Sequence, residues 1–476
     1  MRALGKTAKD ILTYGVLILM QKGIGLLLLP FTTSYLSVTE FGILETILIT
    51  LSLISLLEIA GGALPRFYSL TTTDNERCQL LTSAVLVSLC YGAILSLIIW
   101  LSFDVLLSIE AELEPSIKVI VACTVWVMML QPPFYIWIRI EERSKEYFYL
   151  SITQSLTQVI LSIGLLSSGF GIKSILIASL LSNSIGLILS YGFCRHKLSG
   201  AFDLSLIIKI IRYQSYMIAA SLCMFAVQGF DRLLLSNLLG PSLLASYAIT
   251  MKIMEMVATV VGAIETWWMP KRFEVVKDKA NLDRALYLHQ QLIISTLSVI
   301  FLGTAVGFTL VTLVTPVEYH ASLIYLPILC LAFCWKLLTG IVDVGCYISE
   351  NPVSVPMVNF SFAVIALGLY FFTIKEVGIL GLVITLNLIF LGRFLVFLVL
   401  SQKRVYISYS YHKLIPLFIF MIIASVASVT YIPTYFYGGY FLIVSVLILL
   451  YGVMSKILDL EPLLDWLFKK RRKING

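Results

Sequence analysis

The segment FAVQGFDRLLLSNLLGPSLLASYAI, residues 225–249, sets Asp231 and Arg232 side by side in a run otherwise built of Leu, Ala, Phe and Ser. Whether two full charges are tolerable there depends on the solvent around the run, and the whole chain decides that. Of its 476 residues 59% are hydrophobic and only 13% charged, with mean hydropathy +0.95. That much apolar surface cannot be hidden inside a water-soluble domain, so the chain is a membrane protein. A net charge of +7 would point to nucleic acid in a soluble chain. Here its distribution along the sequence carries the information, and no nucleic-acid partner is expected.

A helix crossing a hydrocarbon layer about 30 Å thick needs about 20 mostly apolar residues, because every backbone N–H and C=O must be satisfied within the segment. Fourteen such segments are expected, near 11–36, 41–64, 79–103, 116–138, 148–168, 173–194, 213–239, 245–268, 290–315, 321–348, 353–373, 376–400, 414–432 and 438–455. The turn from Gly169 to Lys173 is so short that the two spans flanking it could be miscounted as one. Pro132-Pro133 interrupts the fourth span and marks a kink or hinge. With the amino terminus in the cytosol and each span reversing direction, 26 of the 34 Lys and Arg fall on the inside and only Lys118, Lys173 and Lys375 outside. Such a bias is hard to obtain with a wrong topology, and it puts both termini in the cytoplasm. The first span is too long for a signal-peptide core and has no convincing cleavage site, so it is read as retained.

The eight cysteines are scattered through spans and inner loops and read as core residues. Cys330 and Cys334 share a helix face, but without a His or carboxylate nearby they do not read as a metal site. No phosphate-cradling Gly-rich loop and no metal-ligand spacing is present, so no cofactor and no catalytic residue are expected. Energy must then come from a proton or sodium gradient, the membrane potential or the substrate gradient; the potential supplies about 2.3 kcal/mol per charge per 100 mV.

The chain is duplicated in its hydropathy and turns. SYLSVTEFGILETI (34–47) overlays NLLGPSLLASYAIT (237–250) at an offset of 203, each a short polar turn between spans. Leu64-Pro65-Arg66 and Met269-Pro270-Lys271 then put a Pro and a basic residue at the inner exit of the second span of each half. Six helices per half keep the same orientation in the membrane, as in transporters built of parallel repeats with a site between two lobes. The expected fold is therefore all-α and polytopic. Residues 1–200 and 201–405 form parallel six-helix lobes around a central cleft, and 406–476 add two helices and a basic cytoplasmic tail.

The stretches LLLLPFTTSYLSVTEFGILETI (26–47), FDRLLLSNLLGPSLLASYAI (230–249), GIKSILIASLLSNSIGLILS (171–190) and GILGLVITLNLIFLGR (378–393) resemble the Wzx-type polysaccharide flippases. These belong to the multidrug/oligosaccharidyl-lipid/polysaccharide (MOP) exporter superfamily. The resemblance covers essentially the whole chain, and its motifs are patterns of small residues and turns rather than invariant chemistry. It implies flipping of an undecaprenyl-diphosphate-linked oligosaccharide across the bacterial inner membrane for O-antigen or capsule assembly. A polysaccharide polymerase and a chain-length regulator would be the protein partners.

The buried charges are read with that substrate class in view. At a span centre each costs roughly 2.5–3.5 kcal/mol, so the set must face protein or water. Lys22, Arg232, Lys252, Lys336 and Arg393 come from five spans and would meet a diphosphate, Arg with planar bidentate contacts and Lys as a point charge. Other readings stand beside this one. Arg232 can be half of a packing ion pair, Lys252 and Glu255 can neutralise one another at i,i+3, and Arg393 lies near enough to the inner interface to snorkel. Glu58, Asp231, Glu255 and Asp343 are candidates for taking up a proton or sodium ion. Glu58 precedes IAGGALP, so it fits equally a carboxylate hydrogen-bonded to a kinked backbone. Gln21, Gln131, Tyr135 and Gln228, with Gln154 and Asn183 among the further polar residues of the spans, are candidate sugar contacts. At offset 203 the partners of Asp231, Arg232, Lys22, Glu45 and Glu58 are Leu28, Leu29, Phe225, Ala248 and Val261, so the charges do not follow the duplication. Two other functions remain open. Five buried cations argue against a small cationic drug as substrate, and a polymerase would carry a larger outside loop than the one from Asp104 to Glu114.

Overall fold

The computed structural model describes residues 24–25, 27–107, 114–198, 201–277, 282–347 and 354–458. Among them the chain is all-α: α1 (27–35), α2 (Val38–Ser55), α3 (Ala63–Tyr68), α4 (Asp74–Leu107), α5 (Pro115–Leu130), α6 (Pro132–Ile140), α7 (Ser144–Ser167), α8 (Lys173–Cys194), α9 (Leu204–Val227), α10 (Phe230–Leu239), α11 (Pro241–Lys277), α12 (Leu282–Val314), α13 (Leu326–Val342), α14 (Ser354–Val377), α15 (Ile379–Arg404), α16 (Tyr411–Tyr431) and α17 (Tyr437–Met454). Thirteen segments of the described chain are long and apolar enough to cross a membrane. They match the second to fourteenth expected spans, while most of the first expected span lies outside the described residues. The protein is a multi-pass membrane protein.

Where the boundaries differ from expectation, local chemistry explains why. α7 and α8 are two spans, separated by a turn in which Gly169 (φ 81°) and Gly171 (φ 57°) take the left-handed conformation that lets the chain reverse in so few residues. The fourth span divides at Gln131, because Pro132 and Pro133 lack the N–H groups that would continue the helix and occupy its first turn instead. Across the kink, Gln131 N–H donates to Val127 C=O (3.1 Å) and Tyr135 N–H to Gln131 C=O (3.3 Å).

Two further spans are broken rather than continuous. The second ends at Ser55 and resumes as the short α3. The seventh, expected over 213–239, runs instead as α9 to Val227 and restarts as α10 after Gln228-Gly229. Gly229 adopts φ 155°, and a Cβ there would lie 2.5 Å from the Phe225 ring, so only glycine fits this break.

The two duplicated turns start their second helices by different means. Ser37 and Glu40 form a reciprocal capping box ahead of α2. Gly240 at φ 90° followed by Pro241 at the first helical position does the same for α11.

The chain divides into two compact units, one comprising 1–248, 314–320 and 370–378, the other 249–313, 321–369 and 379–476. In the first, α7 packs along α8 and α4 along α5, with α5 also against α8. Its inner core gathers Ile59, Leu64, Leu81, Phe134, Trp137 and Ile210. In the second, α13 packs on both α15 and α16 and is buried around nearly its whole circumference, which is why its sequence is apolar on every face. The two last spans join this unit through Ser445 Oγ, which donates to Ser298 C=O (2.9 Å), and to each other through Tyr451 OH, which donates to Lys413 C=O (2.7 Å).

Candidate functional site: polar groups at broken spans

A broken helix frees backbone groups that water cannot reach in a membrane, so each break needs side chains to satisfy it. At the α9–α10 break that side chain is Asp231, fully buried. Its carboxylate accepts the Gly229 N–H at 2.7 Å and the Tyr247 hydroxyl at 3.2 Å. On the other side of the break, the Tyr370 hydroxyl donates to Val227 C=O at 2.7 Å. Gln228, half-buried, is the residue at which α9 ends. Arg232 follows Asp231 on α10, half-buried and about 100° further round the helix axis. The charge of Arg232 acts on the Asp231 carboxylate.

At the α2–α3 break the satisfying group is Glu58. Its carboxylate accepts the N–H groups of Ala60 (3.2 Å), Gly61 (2.6 Å) and Gly62 (3.2 Å), and the Gln214 side-chain amide of α9 at 2.8 Å. The geometry is that of a carboxylate bound to kinked backbone. Glu58 and Asp231, the two candidate coupling acids of this unit, thus each close a helix break.

A third cluster lies at the α5–α6 kink. Gln131 Nε2 donates to Tyr135 OH (3.1 Å), Tyr135 OH to Gln154 Oε1 (2.7 Å), and Gln154 Nε2 to Asn183 Oδ1 (2.7 Å). Gly186 makes room for it, since a Cβ there would come within 2.6 Å of Gln131 Nε2 and 2.7 Å of Tyr135 OH. Four polar residues, Gln131 at the α5–α6 junction and one each from α6, α7 and α8, are therefore one network, in which each supplies a partner to the next.

In the second unit, Lys336 is half-buried with Nζ 4.9 Å from the ring centre of Phe333, one turn earlier on α13. Arg393 is 8% exposed and donates from Nη2 to Asn359 Oδ1 at 2.8 Å, with its guanidinium 5.8 Å from the Phe397 ring. Asp343, equally buried, acts on it electrostatically. Lys252 is half-buried and Glu255 exposed on α11. Lys22 and Gln21 lie outside the described residues. Among the described residues no cluster of His, Cys, Asp and Glu is arranged to hold a metal ion.

Tyr247, Gln214 and Asn359, which hold candidate charges, and Tyr370, which serves the α9–α10 break, do not stand out in the sequence. Only the folded contacts show which break or charge each one serves.

The fold matches solved transporters. A structure described as "Lipid II flippase MurJ, inward closed conformation" superposes with TM-score 0.65 at 12% identity, covering 94% of this chain and 98% of that one. An inward-facing multidrug resistance MATE family transporter of the MOP superfamily gives TM-score 0.54 at 14% identity, covering 82% and 94%. The Vibrio cholerae MATE transporter VcmN in its bent form gives 0.51 at 15% identity, covering 84% and 97%. No curated protein matches the chain in sequence. Residues 35–322 match the family described as "Polysaccharide biosynthesis protein". The chain is a polytopic membrane protein with the MOP-superfamily fold and belongs to this polysaccharide biosynthesis protein family.

Proposed function

We propose that the protein is a Wzx-type flippase, moving an undecaprenyl-diphosphate-linked oligosaccharide from the cytoplasmic to the periplasmic leaflet of the bacterial inner membrane by alternating access. One observation carries the reading: a chain of a polysaccharide biosynthesis family matches, over 94% of its length, the fold of a structure described as a Lipid II flippase. The MATE likenesses leave about a sixth of the chain uncovered, and this favours the flippase over a small-molecule exporter.

The substrate sets the physical task. A diphosphate with a hydroxylated head group would cost tens of kcal/mol to carry unaided through hydrocarbon, whereas a wet cleft with fixed cations lowers that barrier. Lys22, Arg232, Lys252, Lys336 and Arg393 are the proposed cations of such a cleft between parallel lobes at 1–200 and 201–405, with both termini cytoplasmic. Asp231 is the best placed of the acids to couple a proton or sodium ion. Its burial in a broken span penalises the bare charge, and an ion bound there would alter the packing of α9, α10 and Tyr247 together. Gln131 and Tyr135 act on sugar only when their network opens; closed, they hold the kink of the fourth span.

Deletion of the gene with analysis of lipid-linked intermediates tests the reading. A flippase loss leaves complete repeat units on the cytoplasmic leaflet. Repeat units that reach the outer leaflet and stay unpolymerised would identify a polymerase instead, and an unchanged pool would leave the small-molecule exporter.

A further inference from the structure

The hairpin between α1 and α2 is held from two directions within the first unit. On one, it meets the duplicated turn: Thr39 Oγ1 and Ser242 Oγ share a hydrogen bond of 2.9 Å, and Thr46 Oγ1 and Ser236 Oγ one of 2.7 Å. Gly42 lies so close to Pro241 that a Cβ would overlap its carbonyl. On the other, the loop 314–320 reaches in from the second half of the sequence. Tyr319, 1% exposed, donates its hydroxyl to Leu36 C=O at 2.7 Å and meets the Phe41 ring edge-on, centroids 5.5 Å apart at 90°.

The loop that presents Tyr319 is stiff. Tyr319 N–H donates to Pro316 C=O (3.1 Å), His320 N–H to Val317 C=O (2.9 Å), and His320 Nε2 shares a hydrogen bond with Thr315 Oγ1 (2.8 Å). Leu36 C=O belongs to the end of a helix, where carbonyls lack an intrahelical donor, and the tyrosine supplies one. Burial raises the pKa of Tyr319 to about 12, so the hydroxyl keeps the proton it donates.

The two sides of the hairpin differ in chemistry. The seam to α10 and α11 includes two hydroxyl pairs, Thr39–Ser242 exposed and Thr46–Ser236 buried, and the close backbone approach of Gly42 to Pro241. Tyr319 and Phe41 add aromatic area and a buried bond to a backbone carbonyl, both of which must be given up when the hairpin moves.

We propose that Tyr319 is a latch: it holds the α1–α2 hairpin shut against the turn at Gly240–Ser242, and it must release before cargo leaves the protein at this end of the membrane. The need for release rests on the flippase reading and on the charge bias that puts these turns outside.

The test separates the latch from the cargo. In Thr39→Cys/Ser242→Cys, mild oxidation is expected to link the two positions, read by mass spectrometry of the joined peptide, since side chains this close suit disulfide geometry. Adding Tyr319→Phe, which keeps the ring and removes the hydroxyl, is expected to slow linking about fivefold, and to raise labelling of Thr39→Cys by a membrane-impermeant maleimide about fivefold. Should Tyr319→Phe fail to reach the membrane, Phe41→Leu tests the same contact from the other side with the same expected direction. Linking and labelling unchanged by the variant that folds would overturn the latch. In cells, the oxidised pair is expected to lose polymer export and regain it on reduction; export that continues through the cross-linked protein would overturn the requirement for release. Linking and labelling need no cargo, so they decide the latch even if deletion shows that the protein is not a flippase.

Discussion

Thr39 and Ser242 share a hydrogen bond of 2.9 Å and stand 203 residues apart, the offset at which the two hairpins of the duplicated sequence overlay. A residue and its repeat equivalent touch one another only close to the axis that relates them. Such a contact is what the proposed parallel relation of the two halves would produce near their axis. The charges do not obey the symmetry, which fits a cargo path added to a shared frame.

The cationic cleft is open to direct test. Lys22→Ala and Arg232→Ala are each expected to leave the protein in the membrane at wild-type level while lowering surface polysaccharide at least tenfold, measured by polymer blot against a membrane-fraction blot. Normal polymer from both variants would remove the cleft assignment.

Asp231 separates a structural from a coupling role. Asp231→Ala leaves the Gly229 N–H without its acceptor and should lower stability by about 1–3 kcal/mol in thermal melts of the purified protein. Asp231→Asn keeps an acceptor oxygen for that N–H, so its melt should stay near wild type. Its polymer output should lose any dependence on the sodium or proton gradient; gradient dependence equal to wild type would assign Asp231 to structure alone.

Gly229 is required by backbone conformation. Gly229→Ala must place a Cβ at φ 155° against the Phe225 ring, with an expected cost of about 1–3 kcal/mol. Pairing it with Phe225→Ala should relieve the overlap but not the backbone strain, so the double variant should recover only part of the loss in the melt.

Glu58 and Gln214 form a pair for a double-mutant cycle. Glu58→Ala strips three N–H groups of their acceptor and Gln214→Leu removes one donor. The coupling between them should fall within about 0.5–3 kcal/mol, with Glu58→Ala the more damaging single change. A coupling of zero would mean that the amide of Gln214 is satisfied equally well elsewhere.

Gly186 provides room for the network at the fourth-span kink. Gly186→Val should push Gln131 and Tyr135 apart and cost about 1–3 kcal/mol by overpacking. If the network also meets sugar, Tyr135→Phe should reduce polymer more than it reduces stability, so the ratio of the two readouts distinguishes the roles.

Much of the architecture is legible without coordinates. The thirteen spans among the described residues follow from apolar length, and the kink at Gln131 follows from Pro132-Pro133. The break at Gly229 is not legible in the same way. Residues 213–239 read as one apolar run, and glycine alone does not announce a break; it takes Asp231 turned back onto the Gly229 N–H to stabilise one. Glu58 beside IAGGALP does read as an acid at a bend, but nothing in that stretch names Gln214, 156 residues away, as its fourth donor.

Solvent sets what a sequence can decide by itself in this protein. A bilayer of fixed thickness that offers no hydrogen bonds forces helices of known length, so the presence and approximate places of the thirteen described spans were legible along the chain. Only the tertiary structure decided which polar group answers which: Tyr319 for Leu36, Tyr370 for Val227, Gln154 for Tyr135. Those choices depend on how helices far apart in sequence lie against one another, and hydropathy, which describes one helix and its solvent, carries no trace of that.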